Sequence, residues 1–489
     1  MRKPTFQLLF FCVKKEENNM NQNSNQYLAE APVGKLMMKF SIPCIMSLLV
    51  SSLYNIVDQI FIGRGVGYLG NGATNVVFPI TVIALAAALM IGDGCAAFLS
   101  ICQGRKDTDS TRNGVGNAVL MLILSSIIIM LVFIFARERI LSSFGATENN
   151  MIYARDYFNI IVIGIPFFMF ANGLSSVIRA DGSPRFAMIS TLVGCMINVI
   201  LDPIAIFVFH WGVRGAAIAT IAGQIVSAGL AVYYLFHTKS FKLNAGSFAV
   251  KRTLLKRILP LGISSFLTQL SIVIVMGVMN NVLVKYGAMS RYGADIPMTV
   301  VGIVMKVFQI VIAFTIGVAA GSQPVVGYNY GAGQYGRVKE IYKIMMIVEV
   351  CIGLIATVCF EMFPLQILSL FGSESDLYNE FGVLAFRIFL CTIILCCVVK
   401  ATSVFLQSLG KPIMSMGLSL LRDFALSVPL ALFLSISFGV EGPLFSAPIA
   451  DGVTFLVMLI IMKHVLRELT NMTKWEPLKK SQKKAAVSQ

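Results

Sequence analysis

The chain is 489 residues long, 57% hydrophobic and only 13% charged, with a mean hydropathy of +0.80. That balance excludes an ordinary soluble domain and places the chain among membrane proteins. A formal net charge of +15 would suit a nucleic-acid surface, but the basic residues are spread as topogenic charges, so no nucleic-acid partner is expected.

Residues 1–34 read as a polar tail. Phe6–Val13 is too short for a secretory apolar core and lacks a small-residue cleavage site, and Met20 opens a more ordinary polar start than Met1. Apolar stretches then recur at 36–62, 73–100, 114–136, 152–178, 186–208, 213–236, 255–284, 296–325, 339–362, 378–405, 413–437 and 442–464. Each has the roughly 20 residues a helix needs to cross a bilayer. The expectation is an all-α integral membrane protein with twelve transmembrane helices, six in an N-terminal lobe at 35–237 and six in a C-terminal lobe at 257–465. A basic connector, 238–256, separates the lobes, and a basic tail, 466–489, ends the chain. Pro43, Pro79, Pro166, Pro203, Pro260, Pro324 and Pro429 fall inside the apolar stretches. Each removes a backbone donor and should kink its helix. The ten cysteines include no CxxC and the three histidines are scattered, which argues against a disulfide framework or a metal cluster.

The two halves repeat each other. Gly94 and Gly104 in GCAAFLSICQG are echoed by Gly321 and Gly331 in GSQPVVGYNYG, and ILSSFG, ending at Gly145, returns as ILSLFG, ending at Gly372. Gly182 and Pro184 return as Gly410 and Pro412, and WGVRG (Trp211–Gly215) returns as FGVEG (Phe438–Gly442). Such matches, in order at offsets of 227 to 228, mark internal duplication. Six spans per repeat is an even number, so both halves enter from one side as parallel, pseudo-symmetric bundles.

With the N-terminus inside, and with Lys and Arg near a span end counted with the adjoining loop, 28 of the 39 Lys and Arg fall in inside tails and loops, 7 in outside loops and 4 deeper within spans (Lys306, Arg387, Lys400 and Arg422). This positive-inside bias predicts a multi-pass protein of the plasma (inner) membrane with both termini cytoplasmic.

Ionisable groups are costly inside a bilayer, so those within spans lead to function. Asp58 lies 19 residues after Lys39, and Asp202 lies 17 after Arg185, on two outward-running helices. At 1.5 Å per residue both sit roughly 25–28 Å from the inner boundary. Asn198 is one turn before Asp202, and Pro203 cannot donate to the carbonyl of Val199. Thr220, six residues into a returning helix after Arg214, reaches a similar height. Two carboxylates, an amide, a hydroxyl and a free carbonyl are ligands for a hard cation. Two neighbouring acids are alternatively relieved by one shared proton. Asp58, Asn198, Asp202 and Thr220 are therefore the expected cation-coupling site for H⁺ or Na⁺, with no other metal and no cofactor. A competing assignment makes both acids helix-end groups meeting interfacial water. Asp93 reads as structural.

The second half is not a copy at these positions. It carries Lys306, Glu349, Arg387, Lys400, Arg422 and Asp423, a mixed or cationic lining. Arg422 and Asp423 are neighbours that point about 100° apart and need other partners. Both are candidates for a substrate cavity, with Tyr54, Phe167, Phe168 and Phe170, whose rings suit flat organic cations. No GxxxxGK[ST], GxSxG or HExxH is present, so neither a self-contained ATPase nor an enzyme is expected.

LYNIVDQIFIG (Leu53–Gly63) and VVFPI (Val76–Ile80), with the repeated glycine pairs, GSP/GKP and GVRG/GVEG, resemble the multidrug and toxic compound extrusion (MATE) family over roughly 35–465. MepA-type bacterial exporters are the branch it looks most like. The resemblance implies twelve helices in two lobes around a cleft, and cation-coupled export of small organic, often cationic, compounds by a protein that needs no oligomer. One branch holds its cation in the first lobe, and its pattern fits Asp58, Asn198, Asp202 and Thr220. Another branch uses acids in the seventh and tenth helices. Here 255–284 has no acid and 378–405 carries Lys400, so that site looks absent. A lipid-linked oligosaccharide flippase of the same superfamily is the alternative. A major-facilitator transporter also has 6+6 helices, but the loop QGRKDTDS lacks that family's usual motif.

Overall fold

In a computed structural model, which describes residues 24–144, 150–293, 295–369 and 375–487, the apolar stretches become long helices and no strand occurs among the described residues. The helices of the first half are α1 (Val33–Gly65), α2 (Tyr68–Gly104), α3 (Thr108–Ser143), α4 (Met151–Ala180), α5 (Pro184–Pro203, continued by a π-helical turn at Ile204–Val208) and α6 (Gly212–Leu235). Those of the second are α7 (Arg252–Gly287), α8 (Asp295–Gly331), α9 (Tyr335–Met362), α10, α11 and α12 (Gly442–Val487). Helix α10 is broken into Asp376–Phe389 and Ile393–Ser408, bent by 47°. Helix α11 runs from Pro412 to Phe438 through a π-helical turn at Leu421–Leu426 and turns back into α12 at Gly439–Glu441. Among the described residues this makes twelve long helices, with two short ones besides at Ser24–Glu30 and Pro364–Ser369.

Helix ends differ from the expected spans mainly by extending beyond them. Helix α7 starts at Arg252, inside the stretch read as connector, and α12 runs on into the basic tail. Thirty-seven residues of α8 make about 55 Å of helix, longer than a roughly 30 Å hydrocarbon core. The polar start around Met1 and Met20, and the repeat residues Gly145 and Gly372, lie outside the described residues.

The duplication is visible in backbone geometry. Lys106 and Gly333, 227 residues apart, both take positive φ (59° and 78°), as do Gly182 and Gly410 (83° and 73°) and Gly212 and Gly439 (57° and 58°). At the first pair the bonds match atom for atom. Asp107 N donates to Cys102 O and Lys106 N to Gln103 O, while Gln334 N donates to Asn329 O and Gly333 N to Tyr330 O. Gly182 and Gly410 close their helices with the same Schellman pattern. The turns recur in the same sense along the chain, so the two six-helix bundles are parallel.

Their cores interlock. Leu36, Met37 and Phe40 at the start of α1 pack with residues of α8, α9, α10 and α12. Leu254, Ile258 and Leu261 at the start of α7 pack with α2, α3 and α4. Each bundle therefore inserts the beginning of its first helix into the other. The repeated glycines allow this. A Cβ on Gly104 would stand 2.1 Å from Tyr328 O, one on Gly331 would stand 2.2 Å from Ile101 O, and one on Gly321 would meet the Ser41 backbone at 2.5 Å. These contacts all lie toward the face where α1 begins and α12 ends, hereafter the terminal face. The bundles are sealed together there. The connector is pinned to the same face, with Asp181 accepting Lys239 N at 2.7 Å and Ser240 N at 3.0 Å.

Candidate functional site: an oxygen cluster in the first bundle

Close helix packing builds the site. Ser190 and Ser227 exchange hydroxyl-to-carbonyl bonds across α5 and α6 at 3.0 and 2.9 Å. A Cβ on Gly223 would lie 2.4 Å from Gly194 O, so the two backbones touch. One turn further along, this places Asn198 against Thr220, and Asn198 Nδ2 donates to Thr220 Oγ1 at 3.2 Å. Helix α1 joins them through Gly65, whose absent Cβ would collide with Ile206 Cγ2 at 2.1 Å. Ile206 belongs to the π-helical turn that follows Pro203. Pro203 has no N–H to give to Val199 O, and the widened turn after it suits the local loss of the α-helical ladder.

Asp58 on α1 and Asp202 on α5 thereby meet carboxyl to carboxyl. Asp202 has no exposed surface and Asn198 almost none. Both Asp202 oxygens, Asp58 Oδ1 and Asn198 Oδ1 lack a hydrogen-bond partner. Buried polar atoms are normally satisfied, so four orphaned acceptors around two acids form a site that a proton or a small hard cation would complete. Tyr54, one turn before Asp58, stands close to both acids. Tyr157 of α4 stands beside Thr220 and the acids, a phenol that no spacing in the sequence distinguishes from its neighbours. Asp58 lies 13 residues beyond Ile45, where α1 meets Gly317 in the seal, which is about 20 Å along the helix. Helix α1 thus carries the interlocked contact at one height and the acid at another.

Of the proposed cavity residues, Tyr54 stands at this cluster, whereas the others do not gather around it. Phe168 and Phe170 pack against the apolar clusters of the first bundle, because α4 turns them toward neighbouring helices. Phe167 is exposed. In the second bundle Arg422 Nη1 donates to Asp423 Oδ1 at 2.6 Å despite their adjacency, both lying in the π-helical turn. Arg422 Nε donates to Asp451 Oδ1 at 2.7 Å, Lys400 Nζ to Asp423 Oδ2 at 2.6 Å, and Thr392 Oγ1 to Asp451 Oδ2 at 3.0 Å. This buried network holds two cations and two anions. Sequence reasoning did not single out Asp451, since only the fold brings α12 against Arg422.

Asp93 joins the bundles. It accepts Ser176 Oγ from α4 at 2.6 Å and Ser265 Oγ from α7 at 2.8 Å. Among the described residues, no group of three or more His, Cys, Asp or Glu is arranged to hold a metal ion.

Comparison with known proteins adds the family context. The MatE family matches residues 43–204 and 260–433. The multidrug export protein MepA of Staphylococcus aureus (strain MSSA476) is 25% identical over 455 residues, covering 92% of this chain and 97% of that protein. Its counterpart in Staphylococcus saprophyticus subsp. saprophyticus is 24% identical over 466 residues, covering 94% and 100%. A solved multidrug resistance MATE family transporter of the MOP superfamily, in an outward-facing conformation, superposes with a TM-score of 0.85 at 24% identity, covering 92% of this chain and 99% of that one.

Proposed function

Since the chain belongs to the MatE family, we propose that it is a secondary active multidrug exporter. It moves lipophilic, often cationic, compounds outward in exchange for H⁺ or Na⁺ by alternating access. The observation that carries the reading is the cluster of unpartnered oxygens at Asp58, Asn198 and Asp202. A coupling ion drives a conformational cycle only by binding one state better than the other. Repulsion between Asp58 and Asp202 makes α1 and α5 sensitive to that ion. Helix α1 also reaches into the opposite bundle, which gives a mechanical route from the cluster to the seal on the terminal face.

In this account 35–237 and 257–465 are the two lobes that rock, 238–256 is the connector, and the terminal face is cytoplasmic, as the positive-inside bias requires. The protein works as a monomer in the plasma membrane. A cationic second-lobe lining would favour the flippase alternative, but Asp423 and Asp451 neutralise Lys400 and Arg422. Purified protein in proteoliposomes, given an imposed H⁺ or Na⁺ gradient, tests the proposal. Accumulation of a lipophilic cationic dye that collapses with the gradient is expected. Gradient-independent scrambling of a lipid-linked oligosaccharide, with no dye movement, would overturn it.

A further inference from the structure

The second lobe holds a carboxyl group that the exporter reading leaves unused. Glu349, midway along α9, has no exposed surface, and neither of its oxygens has a hydrogen-bond partner. Its polar neighbours are the Thr315 hydroxyl of α8 and the Cys397 thiol of α10. Thr315 Oγ1 and, on α12, Thr454 Oγ1 are themselves buried without a hydrogen bond. Tyr342 touches Met458 across the antiparallel α9 and α12. Seven residues further along α9 and four to seven back along α12 place Glu349 near the level of Thr454 and Asp451, by the common helical rise.

The charged groups nearby do not compensate it. On α10, Lys400 is held by Asp423, and on α12, Asp451 is held by Arg422. On α8 the nearest cation in sequence, Lys306, is exposed and nine residues from Thr315, about 13 Å along the helix. The titratable group beside Glu349 is the uncharged Cys397 thiol. An ionised carboxylate here would be a buried, unpaired charge, which proteins avoid by neutralising the group. A single carboxyl with two or three hydroxyl and thiol neighbours also supplies too few oxygens to replace the shell of a metal cation.

We propose that Glu349 is a second proton-binding site, separate from the Asp58–Asp202 pair and occupied by a proton in the state seen here. The carboxylic acid can then donate its O–H to Thr315 while its other oxygen accepts from a neighbouring hydroxyl or thiol. Losing the proton requires α8, α9 and α10 to part or admit water, so proton binding favours this packing of the second lobe over an opened one. This inference does not depend on the identity of the exported compound.

Infrared spectroscopy of the full-length protein in lipid nanodiscs at neutral pH tests it. Glu349→Gln should remove one protonated-carboxyl stretch that persists in Asp58→Asn. If Glu349→Gln fails to fold, the unmutated protein can be treated with dicyclohexylcarbodiimide, which reacts with protonated carboxyls in apolar sites, and its peptides weighed. Modification of Glu349 at neutral pH that falls at least tenfold in strong alkali supports the proposal. An unchanged infrared band, or an unmodified Glu349, would overturn it. Protection of Glu349 by Na⁺ at fixed pH would also overturn it, in favour of a cation site.

Discussion

The seal between the bundles can be wedged by one methyl group. A Cβ added to Gly262 on α7 would lie 1.7 Å from Met90 O, 2.5 Å from Met90 C and 2.9 Å from Met90 Cα. All three atoms are backbone of α2, so no side-chain rotation relieves the clash. Merely restoring a 3.0 Å contact needs about 1.3 Å of extra separation in a close-packed contact. Overpacking of this kind costs about 1–3 kcal/mol. Gly262→Ala should impose that penalty on states with the terminal face closed and spare states with it open, shifting the equilibrium about 5–150-fold toward opening. Spin labels on Thr108 and Gly336, exposed at the starts of α3 and α9, report the separation on a cysteine-depleted background. The variant should gain a longer-distance population. Gly229→Ala and Gly417→Ala, where a Cβ meets nothing within 4 Å, should leave the distribution unchanged and stabilise their helices by about 0.5–1 kcal/mol. If Gly262→Ala has the distances of the unmutated protein, the glycine contacts do not control closure.

Two further outcomes follow from other parts of the fold. Arg422→Met leaves Lys400, bonded to Asp423, as the remaining cation of the network and Asp451 without one and should cost about 3–5 kcal/mol in thermal or denaturant unfolding, whereas Arg422→Met with Asp451→Asn restores neutrality and should lose less. Asp107 caps α3 by accepting Ser110 N at 2.9 Å, and its bonds to Ser110 hold the carboxyl below the usual range. Asp107→Ala should therefore cost about 0.5–1 kcal/mol at neutral pH. A folded-state value below the unfolded one means that this stabilisation is present above the unfolded value and is lost as pH falls through the folded one, so unfolding curves of the two proteins should converge in acid.

The duplication was legible because its signals are local. A left-handed turn selects glycine at Gly182 and Gly410 wherever the repeat places it, although Lys106 shows that lysine can stand where Gly333 stands in the second copy. The convergence of Asp58, Asn198, Asp202 and Thr220 in height was also legible, since helical rise turns sequence distance into depth. Rotation about the helix axis was not. Phe168 and Phe170 could have faced a cleft equally well by sequence, and Tyr157 carries no mark that it faces the acids. The interlocking of α1 and α7 with opposite bundles is a non-local fact, and the repeated glycines disclosed a close approach without naming the partner. Glu349 was visible as an ionisable residue in an apolar span, but its lack of a counter-charge depends on which way Lys400 and Arg422 turn.

The central claim is that Asp58 and Asp202 couple an ion gradient to export. Its most direct test is gradient-driven efflux of a lipophilic cationic dye from vesicles containing equal amounts of the unmutated protein, Asp58→Asn, Asp202→Asn and the double variant. Each single change should stop uphill export while leaving dye binding largely intact, and the double should be no worse than either, because coupled residues act as a unit. Export by both single variants at near the unmutated rate would contradict the account and leave these acids as helix-end groups.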